Sequence, residues 1–152
     1  MTTDQAEVAD VHADVARVVS TAVKWSAAAA IVPVPLLDLL ALTAVQVKMV
    51  RDIAHIYGID AESETLKTVI SALVGTLAPA ALSGGLLGSA IKVVPVGGTV
   101  VGSVGFAAFS SAATYAIAKV FVKHFEKGGS LKSFSAEAVE EDLKKEFAAA
   151  KS

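Results

Sequence analysis

The residues of this chain whose types could do chemistry are few and scattered. His12, His55 and His124 stand far apart, and none belongs to an HExxH or other metal-ligand spacing. Each reads as a surface or packing histidine. The absence of cysteine excludes thiolate metal sites and disulfides. No serine sits in a GxSxG elbow, and Gly88-Ser89 and Gly102-Ser103 read as packing residues. The most notable carboxylate is Asp38, inside the apolar stretch LLDLLALTAVQV. Desolvation there favours its neutral form, so it could relay protons or hold a partner's lysine. The simpler expectation is that Asp38 caps the helix beginning after Pro35, or pairs with a lysine or arginine of another helix. Gln46 and Thr114 are expected to hydrogen-bond between helices. These residues predict a non-enzymatic protein with no catalytic, cofactor or metal site.

Composition narrows the class. The chain has 152 residues, 54% of them hydrophobic, with only 6% aromatic. Its mean hydropathy is +0.62. An ordinary soluble domain is nearer 45 to 50% apolar even with glycine counted, so the excess needs a cause. Much of it is alanine and valine, whose small side chains let helix backbones approach closely. A net charge of -2 gives no basic footprint for nucleic acid. The N-terminal stretch MTTDQAEVADVHADV carries acids and lacks the basic and apolar regions of a secretory signal, so a cytoplasmic or membrane-face location is expected.

The elements that must position these residues read as helices throughout. Residues 4 to about 28 are amphipathic, with Asp4 and Glu7 as capping partners and Val8, Val11, Val15, Val18, Ala22 and Trp25 as an a/d seam. The seam is short for an inter-subunit coil and predicts packing within its own domain. Pro33 and Pro35 form a rigid elbow. A second helix follows from Leu36 to Tyr57 and stops at Gly58, with Lys48, Arg51, Asp52 and His55 on one face and Val45, Met49, Ile53 and Ile56 on another. A third helix, capped by Asp60, carries Glu62 and Glu64 in its first turn. A fourth runs from about Thr99 to Lys127 and ends at Gly128-Gly129. The last spans Ala136 to about Ala149, with Ser135 as N-cap and Phe134 stapled onto Val139. Its apolar stripe is Val139, Leu143, Phe147 and Ala150, opposite the ordered pairs Glu140–Lys144 and Glu141–Lys145.

At the centre, Thr68 to Ala118 has one charged residue, Lys92, between the runs TVISALVGTLAPAALSGGLLGSAI and VVPVGGTVVGSVGFAAFSSAATYAIA. Either run is long enough to cross the ~30 Å hydrocarbon core as a helix. The turn KVVPVGG, with Pro95, Gly97 and Gly98, makes them a helical hairpin tipped by Lys92. Pro79 is expected to kink the first run and Gly84-Gly85 to bend it. Gly84 with Gly88, and Gly98 with Gly102, have the GxxxG spacing of close helix packing. Lys48, Arg51 and Lys67 precede the hairpin, and Lys119, Lys123, Lys127 and Lys132 follow it. By the positive-inside rule both ends face the cytoplasm if the hairpin spans. Lys119, Lys123 and Lys127 recur every fourth residue and are candidates to meet anionic headgroups, or simply form a solvated face.

Two segments together resemble a known family. PVPLLDLLALTAVQVKMVRDIAHIYG and, after a glycine-rich middle, IKVVPVGGTVVGSVGFAAFSSAATYAIAKVF look like the bacterial domain of unknown function 697 family, which includes YcjF-like membrane proteins. The resemblance covers about residues 24–127 and rests on Pro33, Pro35, Asp38, Gln46, Met49, Tyr57, Gly58, Lys92, Pro95, Gly97, Gly98 and Thr114. It implies an all-α, membrane-associated bacterial protein. Some family members stand beside or fused to a GTPase-like domain, which implies a GTPase-like partner. This chain has no GxxxxGK[ST] loop, so nucleotide hydrolysis is not implied for it.

The expectation is a single all-α domain over residues 1–152, a bundle of about five or six helices around the apolar, Gly/Ala-rich hairpin. Within it, 1–30 form the N-terminal amphipathic helix, 31–128 the apolar core and 133–152 the C-terminal amphipathic helix. The expected function is a membrane-associated module at the bacterial inner membrane or its cytoplasmic face. It would insert or dock the hairpin in lipid, self-associate and recruit partners. The alternative is a water-soluble homo-oligomeric assembly in the cytoplasm, a cage, shell or carrier of apolar cargo, whose subunits cover each other's apolar helices.

Overall fold

A computed structural model describes the backbone of residues 3–29, 35–83 and 95–151, and the side chains of 5–26, 41–77 and 107–150. The fold is all-helical, with no strand among the described residues. Its order is α1 (Thr3–Ala29), α2 (Pro35–Ile56), α3 (Ser63–Ser83), α4 (Pro95–Glu126) and α5 (Glu140–Lys151). Pro35 and Pro95 each open a helix, a position where the missing N–H is no loss and the fixed φ suits the first turn.

Two helices stop in the same way. Gly58 and Gly128 adopt φ values of +70° and +82°, a left-handed conformation that glycine enters without a Cβ penalty. After α2, the Gly58 N–H donates to the His55 carbonyl at 3.0 Å and the Ile59 N–H to Ala54 at 2.8 Å. After α4, Gly128 and Gly129 repeat the pattern on Phe125 and His124, both at 3.0 Å. These paired bonds satisfy carbonyls that a helix end otherwise leaves open.

The core is built from inward stripes of all five helices, among them Val15 and Ala22, Val50 and Ile53, Leu66, Ile70, Leu73 and Leu77, Ile117 and Phe121, and Leu143 and Phe147. Helix α1 packs on α2 and α4 of its own chain, as its short seam predicts. Its end departs from the heptad reading, however. Trp25 is 64% exposed and Val8 47%, while Ser26 is buried. Eleven residues make about three turns of a straight helix. Ser26 therefore repeats the direction of Val15, and Trp25 is rotated off the seam.

Other boundaries also shift. Helix α4 begins at Pro95 rather than Thr99, so Gly97 and Gly98 are helical and lie outside the turn assigned to KVVPVGG. Helix α3 begins at Ser63, its first turn closed by the Leu66 N–H on the Glu62 carbonyl at 3.0 Å, so Asp60 precedes the cap position. It continues helically through Pro79 to Ser83. Helix α5 begins at Glu140. Ser135 caps a preceding turn instead, its hydroxyl accepting the Ala138 N–H at 3.3 Å. Phe134 lies flat on Phe121 with ring centroids 4.3 Å apart, and this stacking holds the non-helical 131–139 segment on the core. Leu143 and Phe147 are buried with Val139 and Ala150 packed beside them, as the stripe predicts, and Lys144 donates to Glu140 at 2.8 Å.

Gly75 sits in the middle of α3, exposed, with open space where a Cβ would be. Gly75→Ala is expected to stabilise the protein by about 0.5–1 kcal/mol by restricting the unfolded chain. A denaturant midpoint that does not rise would show a role for Gly75 other than filling a helical position.

Candidate functional site

The directions of the helices follow from two sets of side-chain bonds. At one level, Glu126 of α4 accepts hydrogen bonds at Oε1 from His12 Nε2 of α1 at 3.1 Å and from Tyr57 Oη, just after α2, at 3.3 Å. At a second level, Ser26 Oγ and Thr114 Oγ1 share a hydrogen bond of 2.9 Å, and Gln46 Nε2 donates to Thr114 Oγ1 at 3.2 Å. The two levels are about 20 Å apart along the helices. Going from the first to the second, α1 advances while α2 and α4 run backwards, so α1 is antiparallel to both. Lys123 against Asp142, with Phe109 against Phe147, makes α5 antiparallel to α4.

The first level is the charged end of the bundle. The ion pairs between described residues are His12–Glu126, Asp14–Arg17, Lys48–Asp52, Glu64–Lys67, Lys123 with Asp142 and Glu146, and Glu140–Lys144. Each has a member on the same side of the Ser26–Thr114 bond as His12 and Glu126. On the other side, among the residues whose backbone is described, the charged positions are Asp38 of α2 and Lys151 at the end of α5.

The second level is a buried polar cluster. Ser26, Gln46, Ser110 and Thr114 are each at most 1% exposed, yet Gln46 Oε1 and Ser110 Oγ have no hydrogen-bond partner. Ser26, Gln46 and Thr114 clasp α1, α2 and α4 together, while Gln46 Oε1 and the Ser110 hydroxyl stay unpaired, each at a cost of about 1–3 kcal/mol. The chemistry available is hydrogen bonding between helices, the role expected of Gln46 and Thr114. Ser26 completes the cluster, and Ser110 is buried one turn before Thr114 on α4. Ser26 was legible in the sequence from its eleven-residue spacing after Val15, and Ser110 from its four-residue spacing before Thr114.

The other residues singled out by sequence fall as follows. Pro33, Gly84, Gly88 and Lys92 lie outside the described residues. Asp38 is helical in α2, but its side chain lies outside the described part. Gly102 is helical within α4, like Gly97 and Gly98. The histidines are not brought together: His12 meets Glu126, His124 Nε2 donates to the Ser130 carbonyl at 2.8 Å, and His55 is exposed on α2. No group of three or more histidines or carboxylates among the described residues could hold a metal ion.

The lysine stripe divides. Lys123 Nζ donates to Glu146 at 2.8 Å and to both oxygens of Asp142 at 3.1 Å, so its ammonium already has anionic partners in α5. Lys119 and Lys127 are exposed, with Lys119 Nζ 5.4 Å from the centre of the Tyr115 ring.

Two titrations follow from these contacts. The Glu146 hydrogen bond, then that of Asp142, holds Lys123 above its usual 10.5. Partial burial, then the Glu126 charge, raises Tyr57 above 10.0. In both cases the folded state keeps the proton longer than the unfolded chain. Their contributions are complete below the ordinary pKa and are lost as pH rises through the raised one. Lys123 is 44% exposed, so solvent screening keeps its share small. Stability is expected to fall above about pH 10, and the double variant Lys123→Met, Tyr57→Phe to flatten that fall in alkaline melts. An equally steep fall in the variant would assign it to other groups.

The apolar hairpin is only partly lipid-like. In α3 the large residues Leu66, Ile70, Leu73 and Leu77 point into the bundle, while Thr68, Ser71, Ala72 and Gly75 face outward. A lipid-spanning helix would reverse this arrangement. The second run is likewise packed on protein from Phe109 to Ala118 through Ala112, Ala113, Ala116 and Ile117. Among the described residues no helix is long and apolar enough to cross a membrane.

Comparison with known proteins agrees with the resemblance in the sequence. The protein named Magnetosome membrane protein 22 of Magnetospirillum gryphiswaldense is 35% identical over 120 residues, which is 79% of this chain and 62% of that relative. The chain therefore spans about three-fifths of the relative's length. No solved structure matches it. The model of the family described as Domain of unknown function (DUF697) matches residues 5–152, well beyond both ends of the quoted segments. The all-helical bundle, with Gln46 and Thr114 joined in its interior, is thus the architecture of a chain that belongs to the DUF697 family.

Proposed function

We propose that this chain is a non-enzymatic, membrane-associated helical module that docks its uncharged end in a lipid bilayer and leaves its charged end in water. The observation that carries this reading is the division of charge along the bundle axis. Helix α4 runs about 30 Å from Thr114 back to Pro95 without a charged residue, comparable to a hydrocarbon core. The name of the magnetosome membrane relative supports the same environment. The outward polar face of α3 up to Gly75 argues that insertion begins after that point, so the hairpin tip enters lipid rather than the whole of both runs. On this reading the module sits at the cytoplasmic face of the bacterial inner membrane. It self-associates through its glycine and alanine faces and offers its charged end to partners. A GTPase-like protein is the partner class to which the family resemblance points.

The test is fractionation of the untagged chain with a carbonate wash, alongside Val101→Lys, Phe106→Lys. Wild type should stay with membranes, and the double variant should move to the soluble fraction with its helical circular dichroism kept. Two lysines placed in hydrocarbon cost about 5–7 kcal/mol on insertion scales, enough to abolish retention. Unchanged retention of the variant would refute insertion of this segment. A large monodisperse soluble particle of wild type would identify a water-soluble assembly instead.

A further inference from the structure

We infer that the bundle meets the lipid headgroups at one level, marked by Trp25, Tyr115, Lys24 and Lys119, with Trp25 at the boundary between headgroups and acyl chains. This rests on the membrane reading above and adds its depth. Trp25 is 64% exposed although its neighbour Ser26 is buried. It lies at the groove between α1 and α2, beside Ala22, Val45 and Met49. An indole with an apolar body and one N–H donor is the side chain that best fits the headgroup layer.

Tyr115 stands at the same height on the other side of α1. The Ser26–Thr114 hydrogen bond of 2.9 Å fixes this, because Trp25 and Tyr115 are the sequence neighbours of its two ends. Lys24 and Lys119 line the α1–α4 groove with Tyr115. Lys24 is one residue and Lys119 one turn to the charged side of the two rings. Both are exposed, and lysine stems lie along apolar surface while the ammonium reaches phosphate. The carboxylate lining that groove, Glu126, is at its far end and bonded to His12 and Tyr57. Cations without an adjacent carboxylate, beside an exposed tryptophan and a half-buried tyrosine, match an anionic lipid surface. Beyond this level the charged positions among the described residues are Asp38 and Lys151. Lys151 follows directly on Ala149 and Ala150, which line a groove with Ala108, Ser111, Ala112 and Tyr115, so it lies past this plane at the end of α5.

Trp25 is the single tryptophan of the chain, so its emission reports this position alone. The full chain is mixed with unilamellar phosphatidylcholine vesicles containing one part in four phosphatidylglycerol, and flotation is measured beside fluorescence. Expected are co-flotation, emission shifted to shorter wavelength, and stronger quenching by lipids brominated near the carbonyl than near the methyl end. Lys24→Gln and Lys119→Gln should each weaken binding to these vesicles about 5-fold and leave binding to pure phosphatidylcholine nearly unchanged. Co-flotation with unshifted, unquenched emission would overturn the placement of Trp25 while keeping the membrane reading, and so would preferential quenching by the deep bromines. Failure to float would overturn the membrane reading itself. A blue shift without lipid that grows with protein concentration would show a second copy covering Trp25, and would also overturn the placement.

Discussion

Phe121→Ala should lower stability by about 3–5 kcal/mol, the usual cost of truncating a buried phenylalanine. Phe121 is 0% exposed and is the hub of the aromatic core, stacked on Phe134 at 4.3 Å and tilted against Phe125 at 5.8 Å. Its loss removes apolar burial and also the flat surface that holds residues 131–139, a segment with few backbone hydrogen bonds of its own. Denaturant unfolding followed by circular dichroism measures the total. A double-mutant cycle with Phe134→Ala isolates the stacking, expected at about 0.5–1.5 kcal/mol. A loss below about 1 kcal/mol for Phe121→Ala would contradict the central position of this ring.

Thr114→Val should cost roughly 2–4 kcal/mol although the two side chains have nearly the same shape. The change leaves the Ser26 hydroxyl and the Gln46 amide without the atom to which both are bonded, and both are buried. Gln46→Met is expected to cost less than about 1 kcal/mol, because it removes the unpartnered Gln46 Oε1 and leaves the Ser26–Thr114 bond in place. The contrast between the variants is the measurement, made by chemical denaturation under one set of conditions. Equal losses would mean that Gln46 Oε1 is satisfied in solution, with an ordered water as the first candidate.

What could be read without the structure was local. Helix class, the stops at Gly58 and Gly128, the apolar stripe of α5 and the i,i+4 pair Glu140–Lys144 depend on residues within a few positions of one another. Propensity, capping and 3.6-residue periodicity act at that range. The misread boundaries were places where two local signals competed. Ser135 is a good cap, but it serves a turn because the stacking of Phe134 on Phe121 sets the path of the chain there. Gly97 and Gly98 looked like turn residues, whereas Pro95 starts a helix that carries them.

What lay beyond the sequence was which faces meet. The lysine stripe at Lys119, Lys123 and Lys127 was visible as a spacing, but not the two carboxylates of α5 that occupy Lys123. Gln46 and Thr114 were each recognisable as polar residues on apolar helices, but their meeting with Ser26 depends on the direction and rotation of three helices. The uncharged run beginning at Thr68 gave its own length and composition, and its composition is compatible with either lipid or protein as surroundings. Packing decided that Leu66, Ile70, Leu73 and Leu77 turn inward and Thr68, Ser71 and Gly75 outward. The physical reason is that a sequence fixes the energy of a turn of helix through nearby atoms, while the environment of each face is supplied by residues distant in the chain, whose arrangement is a property of the whole bundle.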